Sequence, residues 1–142
     1  MPASLFAEKP PCANVPSPAH IMCVEDDPDI RAILELSLSM IGHLKTSLCI
    51  SGEDALAKVD EIRPDLILLD VMMPGLDGIE TLKALQEHRE WAKIPVVFMT
   101  AKAQRHDIET YKAIGALEVL TKPFDPMTLA DQVKEIYAHH FA

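Results

Sequence analysis

Three kinds of residue are scarce in this chain, and each scarcity removes a class of function. Cysteine occurs three times, at Cys12, Cys23 and Cys49, with no Cys-x-x-Cys pair and no histidine at ligand spacing. That argues against a zinc ribbon or a disulfide framework and leaves small buried hydrophobes as the reading for these residues. Glycine occurs five times. None of the five builds a Gly-x-x-x-x-Gly-Lys-Ser/Thr phosphate loop or a Gly-x-Gly-x-x-Gly dinucleotide loop. Cations are outnumbered, with 13 Lys+Arg against 22 Asp+Glu and a formal net charge of −9. Phosphate contact needs clustered cations, so direct nucleic-acid binding and docking to anionic membranes are both disfavoured. No apolar run approaches the ~20 residues of a membrane span. The N-terminus has no basic region followed by an apolar run, the mark of a signal peptide. A reduced, cytoplasmic protein is the expectation.

What is present is organised along the chain. Five of the eleven prolines fall in residues 1–18, where Glu8 and Lys9 cancel, so the whole net charge belongs to residues 19–142. Residues 1–18 read as an extended, proline-rich flexible tail, and residues 19–142 as one domain of ordinary size. Within that domain, apolar strand-like segments (His20–Val24, Leu44–Ile50, Leu66–Leu69, Pro95–Met99, Leu117–Leu120) alternate with amphipathic helical patterns. The first helix is expected over Pro28–Ile41, with Asp27 as its N-cap and Gly42 as its stop. The second opens at Ser51 and ends before Pro64, and the third runs about Gly78–Arg89. The fourth spans Gln104–Ile114 and stops at Gly115, and the fifth opens at Asp125-Pro126 and runs to about Ala138. Strand starts recur every 22–29 residues. Alternating βα units of this kind imply a doubly wound α/β fold with a parallel sheet. Runs such as Leu66-Ile67-Leu68-Leu69 do not alternate, as expected of strands buried on both faces.

In such folds, ligands bind outside the carboxyl ends of the strands. Glu25-Asp26-Asp27 follow the first strand, Asp70 the third, Thr100 the fourth and Lys122 comes after the fifth. Each has a bland explanation. Asp27 and Asp29 suit a helix cap and first turn, Asp70 an Asx turn, Thr100 a helix cap, and Lys122 the surface. Together they form a pattern. If the first and third strands are neighbours, their ends lie ~5 Å apart. Glu25, Asp26 and Asp70 then converge, and three carboxylates that close need a cation. Hard oxygen donors favour Mg²⁺. A carboxylate beside Mg²⁺ can itself attack phosphorus, with a lysine and a hydroxyl stabilising the phosphoryl oxygens.

Residues 20–140 resemble the receiver domain of bacterial two-component response regulators, of the stand-alone, chemotaxis-regulator-like kind. Four motifs in order carry the resemblance: Val24-Glu25-Asp26-Asp27-Pro28, the segment Leu69–Gly78, Met99-Thr100-Ala101, and Thr121-Lys122-Pro123-Phe124. The resemblance implies a flavodoxin-like (βα)5 fold, a five-stranded parallel sheet of order 2-1-3-4-5. It implies that Asp70 accepts a phosphoryl group from a histidine kinase or histidine phosphotransfer protein. Asp26 and Asp70 would bind Mg²⁺ directly, Glu25 through water, and the backbone carbonyl of Met72 would complete the protein ligands. Lys122 would pair with a phosphoryl oxygen and form a cis peptide with Pro123. Thr100 would move its hydroxyl onto the phosphate and carry the change to the face of helix 4, strand 5 and helix 5, where a protein target binds. Such a chain is no classical enzyme; it catalyses only its own phosphorylation and dephosphorylation. It is expected to be a monomer or a phosphorylation-dependent homodimer.

Two positions depart from the family pattern. Many receivers carry Tyr or Phe three residues before the lysine; here that residue is Val119, so the switch lacks its aromatic half. Met72, two residues after Asp70, cannot orient an attacking water, and Lys102 takes the other position that influences phosphoryl lifetime. Slow autodephosphorylation is expected. The sequence closes with helix 5 and opens on an unusual proline-rich segment, so a stand-alone receiver that signals by protein binding or phosphorelay is expected. Two other readings compete. One is a non-phosphorylated scaffold, which Val119 favours and the intact acids, Thr100 and Lys122 oppose. The other is a Mg²⁺-dependent aspartyl-phosphate phosphatase, which usually places an acid where Met72 stands.

Overall fold

The computed structural model describes residues 17–141. The expected flexible tail falls almost wholly outside them, as does Cys12. Five parallel strands form one sheet: β1 (His20–Val24), β2 (Lys45–Cys49), β3 (Leu66–Asp70), β4 (Val96–Thr100) and β5 (Glu118–Thr121). Their spatial order is β2-β1-β3-β4-β5. The central strands β3 and β4 are buried along their whole length. That is why Leu66–Leu69 and Val96–Met99 read as unbroken apolar runs. β2 lies at an edge and tolerates Lys45, Thr46 and Ser47.

Helices α1 (Pro28–Leu34), α2 (Gly52–Ile62), α3 (Gly78–Gln86), α4 (Arg105–Ile114) and α5 (Leu129–His140) cover the sheet. Successive strand side chains point to opposite faces, and the core splits accordingly. Met22, Val24, Ile67, Leu69, Val96 and Phe98 pack with Val59 of α2 and Leu82 and Leu85 of α3, with Tyr111 of α4 against them. Ile21, Cys23, Leu66, Leu68, Val97 and Met99 pack on the other face with Leu34 of α1 and Leu129 and Val133 of α5. Cys23 and Cys49 are buried free thiols, and burial pushes the Cys49 thiol up to about 11. No helix among the described residues is long and apolar enough to cross a membrane.

Several helix boundaries differ from the sequence expectation. The first helix is α-helical only to Leu34 and continues as a π-helical segment over Glu35–Ile41. Gly42 N donates to Ser37 O across five residues at 2.9 Å. Leu34 and Leu38, four residues apart, share a face in either winding, so their apolar spacing could not show where the π-helical segment starts. Helix α3 stops at Gln86 rather than Arg89. Its end tightens through bonds from Glu87 N to Ala84 O and from His88 N to Leu85 O. A 3₁₀ turn follows at Trp91–Lys93, and Trp91 Nε1 donates to Asp60 of α2 at 2.7 Å. Helix α5 begins at Leu129 rather than at Asp125-Pro126. Asp125 instead folds a preceding turn, its Oδ1 accepting from Met127 N at 3.0 Å and its carbonyl from Thr128 N. The other caps agree: Asp27 accepts from Asp29 N, and Ser51 from Asp54 N.

Candidate functional site

The register of the central strands places the carboxylates together. Val24 pairs with Leu69 across β1 and β3, so Glu25 and Asp70 leave the sheet side by side. Glu25, Asp26 and Asp70 each offer a carboxylate oxygen, all within 4.8 Å of one another. Glu25 and Asp70 are buried, at 0% and 3% relative exposure. Lys122 reaches in from the end of β5; its Nζ donates to Glu25 Oε1 at 2.7 Å and to Asp70 Oδ1 at 3.1 Å. Its own amide donates to the Thr100 carbonyl at 2.9 Å, so the ends of β4 and β5 are tied together.

One ammonium faces three carboxylates, and the titration of the site reflects that imbalance. Burial pushes Glu25 up to about 7; the Lys122 hydrogen bond opposes this and the Asp70 charge adds to it. Burial likewise raises Asp70, against the pull of Lys122. Burial lowers Lys122, but its hydrogen bond to Glu25 and the charge of Asp70 outweigh that, and its ammonium is held above the ordinary range. The site therefore has acid to spare after its own cation is counted. All three donors are oxygens, the hard set that suits Mg²⁺ and not a soft transition metal.

The remaining predicted residues surround this crevice. Thr100 is buried at the end of β4, and its Oγ1 accepts from Lys102 N at 3.0 Å and makes no hydrogen bond to Glu25, Asp26 or Asp70. It caps no helix, because α4 opens only at Arg105. Met72 N approaches Asp70 Oδ1 at 3.4 Å, the Asx-type contact foreseen for Asp70, and the Met72 side chain is 68% exposed. The Lys122–Pro123 peptide is cis. Val119 pairs with Phe98 across β4 and β5. Asp27 and Asp29 serve the start of α1.

Sequence reasoning missed the groups that hold the loops. Arg31 of α1 donates from Nη1 to the carbonyls of both Glu25 and Asp26, at 2.8 and 2.9 Å. Glu53 of α2 accepts from Leu76 N at 3.2 Å and so anchors the loop after β3. Asp77 and Glu80 close a reciprocal capping box at the head of α3, and Asp-x-x-Glu before an apolar stripe could have revealed it. Arg31 and Glu53 grip backbone groups, for which no motif exists.

Comparisons with known proteins bear on the family and the fold. Residues 21–134 match the model of the response regulator receiver domain. The transcriptional regulatory protein AfsQ1 of Streptomyces coelicolor is 36% identical over 116 residues, which is 82% of this chain and 50% of that protein. The chain thus spans about half the length of AfsQ1 and of relatives like it. Protein PilH of Pseudomonas aeruginosa is 35% identical over 122 residues, covering 84% of this chain and 98% of PilH. Among solved structures, the chemotaxis response regulator CheY4 of Vibrio cholerae superposes with a TM-score of 0.77 at 30% identity, over 83% of this chain and 98% of that one. The family match and the shared fold agree: the chain belongs to the response regulator receiver domain family.

Proposed function

We propose that this chain accepts a phosphoryl group on Asp70 and signals through the state of that residue. The observation that carries the reading is Lys122 Nζ bridging Glu25 and Asp70 beside Asp26. A lone buried carboxylate is a weak phosphoacceptor because its product concentrates negative charge. Here a fixed ammonium already lies 3.1 Å from the reacting carboxylate. The donor is a phosphohistidine of a histidine kinase or a histidine phosphotransfer protein. An Asp70 carboxylate oxygen attacks phosphorus, the P–N bond breaks, and the imidazole nitrogen leaves with the electron pair and then takes a proton.

Glu25, Asp26, Asp70 and the Met72 carbonyl would hold Mg²⁺, which when bound neutralises the acids and the phosphoryl oxygens. Lys122 keeps its ammonium on the phosphoryl group, and Thr100 turns its hydroxyl from the Lys102 amide toward it. Because Thr100 and Lys122 are hydrogen-bonded through their backbones, movement of one bears on the start of α4 and the end of β5. The face of α4, β5 and α5 then presents the change to a target protein.

A small phosphodonor with Mg²⁺ tests the reading. Stoichiometric labelling of the wild type, released by hydroxylamine and absent in Asp70→Asn, is expected. No labelling would favour an unphosphorylated scaffold. Repeated turnover of an external phosphoester would point to a phosphatase.

A further inference from the structure

The three acids of the crevice are not held in the same way. The Glu25 carboxylate is fixed by Lys122 Nζ at 2.7 Å and by the Asp27 amide at 3.2 Å. The Asp70 carboxylate is fixed by Lys122 Nζ at 3.1 Å and approached by the Met72 amide at 3.4 Å. The Asp26 carboxylate makes no hydrogen bond or ion pair among the described residues. Asp26 is nevertheless one of three oxygens gathered within 4.8 Å. Something other than its own side chain must aim it.

Arg31 is placed to do this. It is half-buried on α1, and its Nη1 lies 2.8 Å from the Glu25 carbonyl oxygen and 2.9 Å from that of Asp26. Neither carbonyl accepts a backbone amide among the described residues. These two carbonyls belong to the peptide planes on either side of the Asp26 α-carbon. Fixing both planes fixes the two backbone dihedrals of Asp26, and with them the direction in which its Cβ leaves the chain. Arg31 is itself anchored, since its amide donates to Asp27 O at 3.0 Å in the first turn of α1. The loop that carries two of the acids is therefore locked by a side chain that touches neither carboxylate.

We infer that Arg31 is a positioning residue that sets the Asp26 carboxylate for Mg²⁺ by clamping the peptides on both sides of it. The inference rests on the reading of Asp26 as a Mg²⁺ ligand. Its sign separates it from simple electrostatics. Removing a cation near a dication site should tighten Mg²⁺ binding by Coulomb's law, whereas loss of the clamp weakens it. Outer partners that orient metal ligands typically hold about 10–100-fold in affinity.

The test is calorimetric titration of MgCl₂, with no phosphodonor, into wild type, Asp26→Asn, Arg31→Met and Arg31→Lys. Arg31→Met keeps an apolar stem and loses both bonds; its Mg²⁺ affinity is expected to fall about tenfold. Lysine is one atom shorter, so its ammonium stops short of the place between the two carbonyls that Nη1 occupies, and Arg31→Lys is expected to lose affinity severalfold with its charge intact. Arg31→Met binding Mg²⁺ as tightly as the wild type, or more tightly, overturns the clamp. Should Arg31→Met fail to fold, Arg31→Lys decides alone, and wild-type affinity there overturns it. A wild-type chain that binds no Mg²⁺ overturns both this inference and the reading of the site; binding lost in Asp26→Asn but unchanged in both Arg31 variants overturns the clamp only.

Discussion

Glu25 is buried with one ammonium partner and one carboxylate rival, and this gives the metal-free fold a pH signature. Its folded value of about 7 lies above the ordinary 4.5. The folded state therefore holds this proton more tightly than the unfolded chain does. The stability that follows is fully present below 4.5 and is lost as pH rises through about 7. Glu25→Gln keeps a neutral side chain at every pH, and its amide oxygen can still accept from Lys122. Urea midpoints measured in chelator should thus favour the variant increasingly as pH climbs from 4.5 to about 7, and no further above it. A gap that does not change with pH would contradict the burial argument. The residues of this crevice were legible because they stand where strands end: Glu25, Asp26, Asp70, Thr100 and Lys122 all close or follow a parallel strand. Arg31 was not, because its role depends on two carbonyl groups that every residue possesses.

Elements meet more tightly at this site than their sequences suggest. The head of α3 approaches the end of β3 so closely that Gly78 N donates to Val71 O at 3.0 Å. A Cβ on Gly78 would overlap the Asp70 carbonyl oxygen and lie 2.7 Å from the Val71 α-carbon. Both neighbours are backbone, so neither can rotate away. Gly78→Ala is expected to cost about 1–3 kcal/mol of stability, as overpacking does. It should also slow phosphodonor labelling of Asp70, because the displaced backbone is the one that carries Asp70. Chemical denaturation and labelling rates check this together; an alanine variant with both unchanged would show that the approach is not limiting. This glycine read as a helix start, and nothing in its neighbours announced the contact. The same limit applies to Gly42, whose Cβ would strike Ala130 of α5. Periodicity located all five α-helices of the described residues, yet it missed the π-helical segment and set the start of α5 too early. Those details are decided by what packs against each end, not by spacing within it.

Across the whole molecule, alternating strand and helix patterns made the βα architecture readable, while the strand order came with the family resemblance. The order matters because only the adjacency of β1 and β3 brings Glu25 beside Asp70. What could not be read was what surrounds Val119 on the face opposite α1 and α5. Phe98 of β4 lies beside Val119 in the sheet and meets Tyr111 of α4 edge-on, with ring centroids 5.3 Å apart. Val119 and Tyr111 both pack against the cluster that contains Phe98. Val119 from β5 and Tyr111 from α4 thus both border Phe98. The two positions should then be coupled. Val119→Tyr adds a ring where Tyr111 already covers Phe98 and is expected to destabilise by about 1–3 kcal/mol. In the Tyr111→Ala background the same substitution should cost clearly less, since the space has been vacated. Residues that share a packing neighbour show such non-additivity, whereas independent ones add to within about 0.5 kcal/mol. Urea unfolding of wild type, both single variants and the double variant closes the cycle. Strict additivity would mean that the side chains at 111 and 119 do not share the space over Phe98.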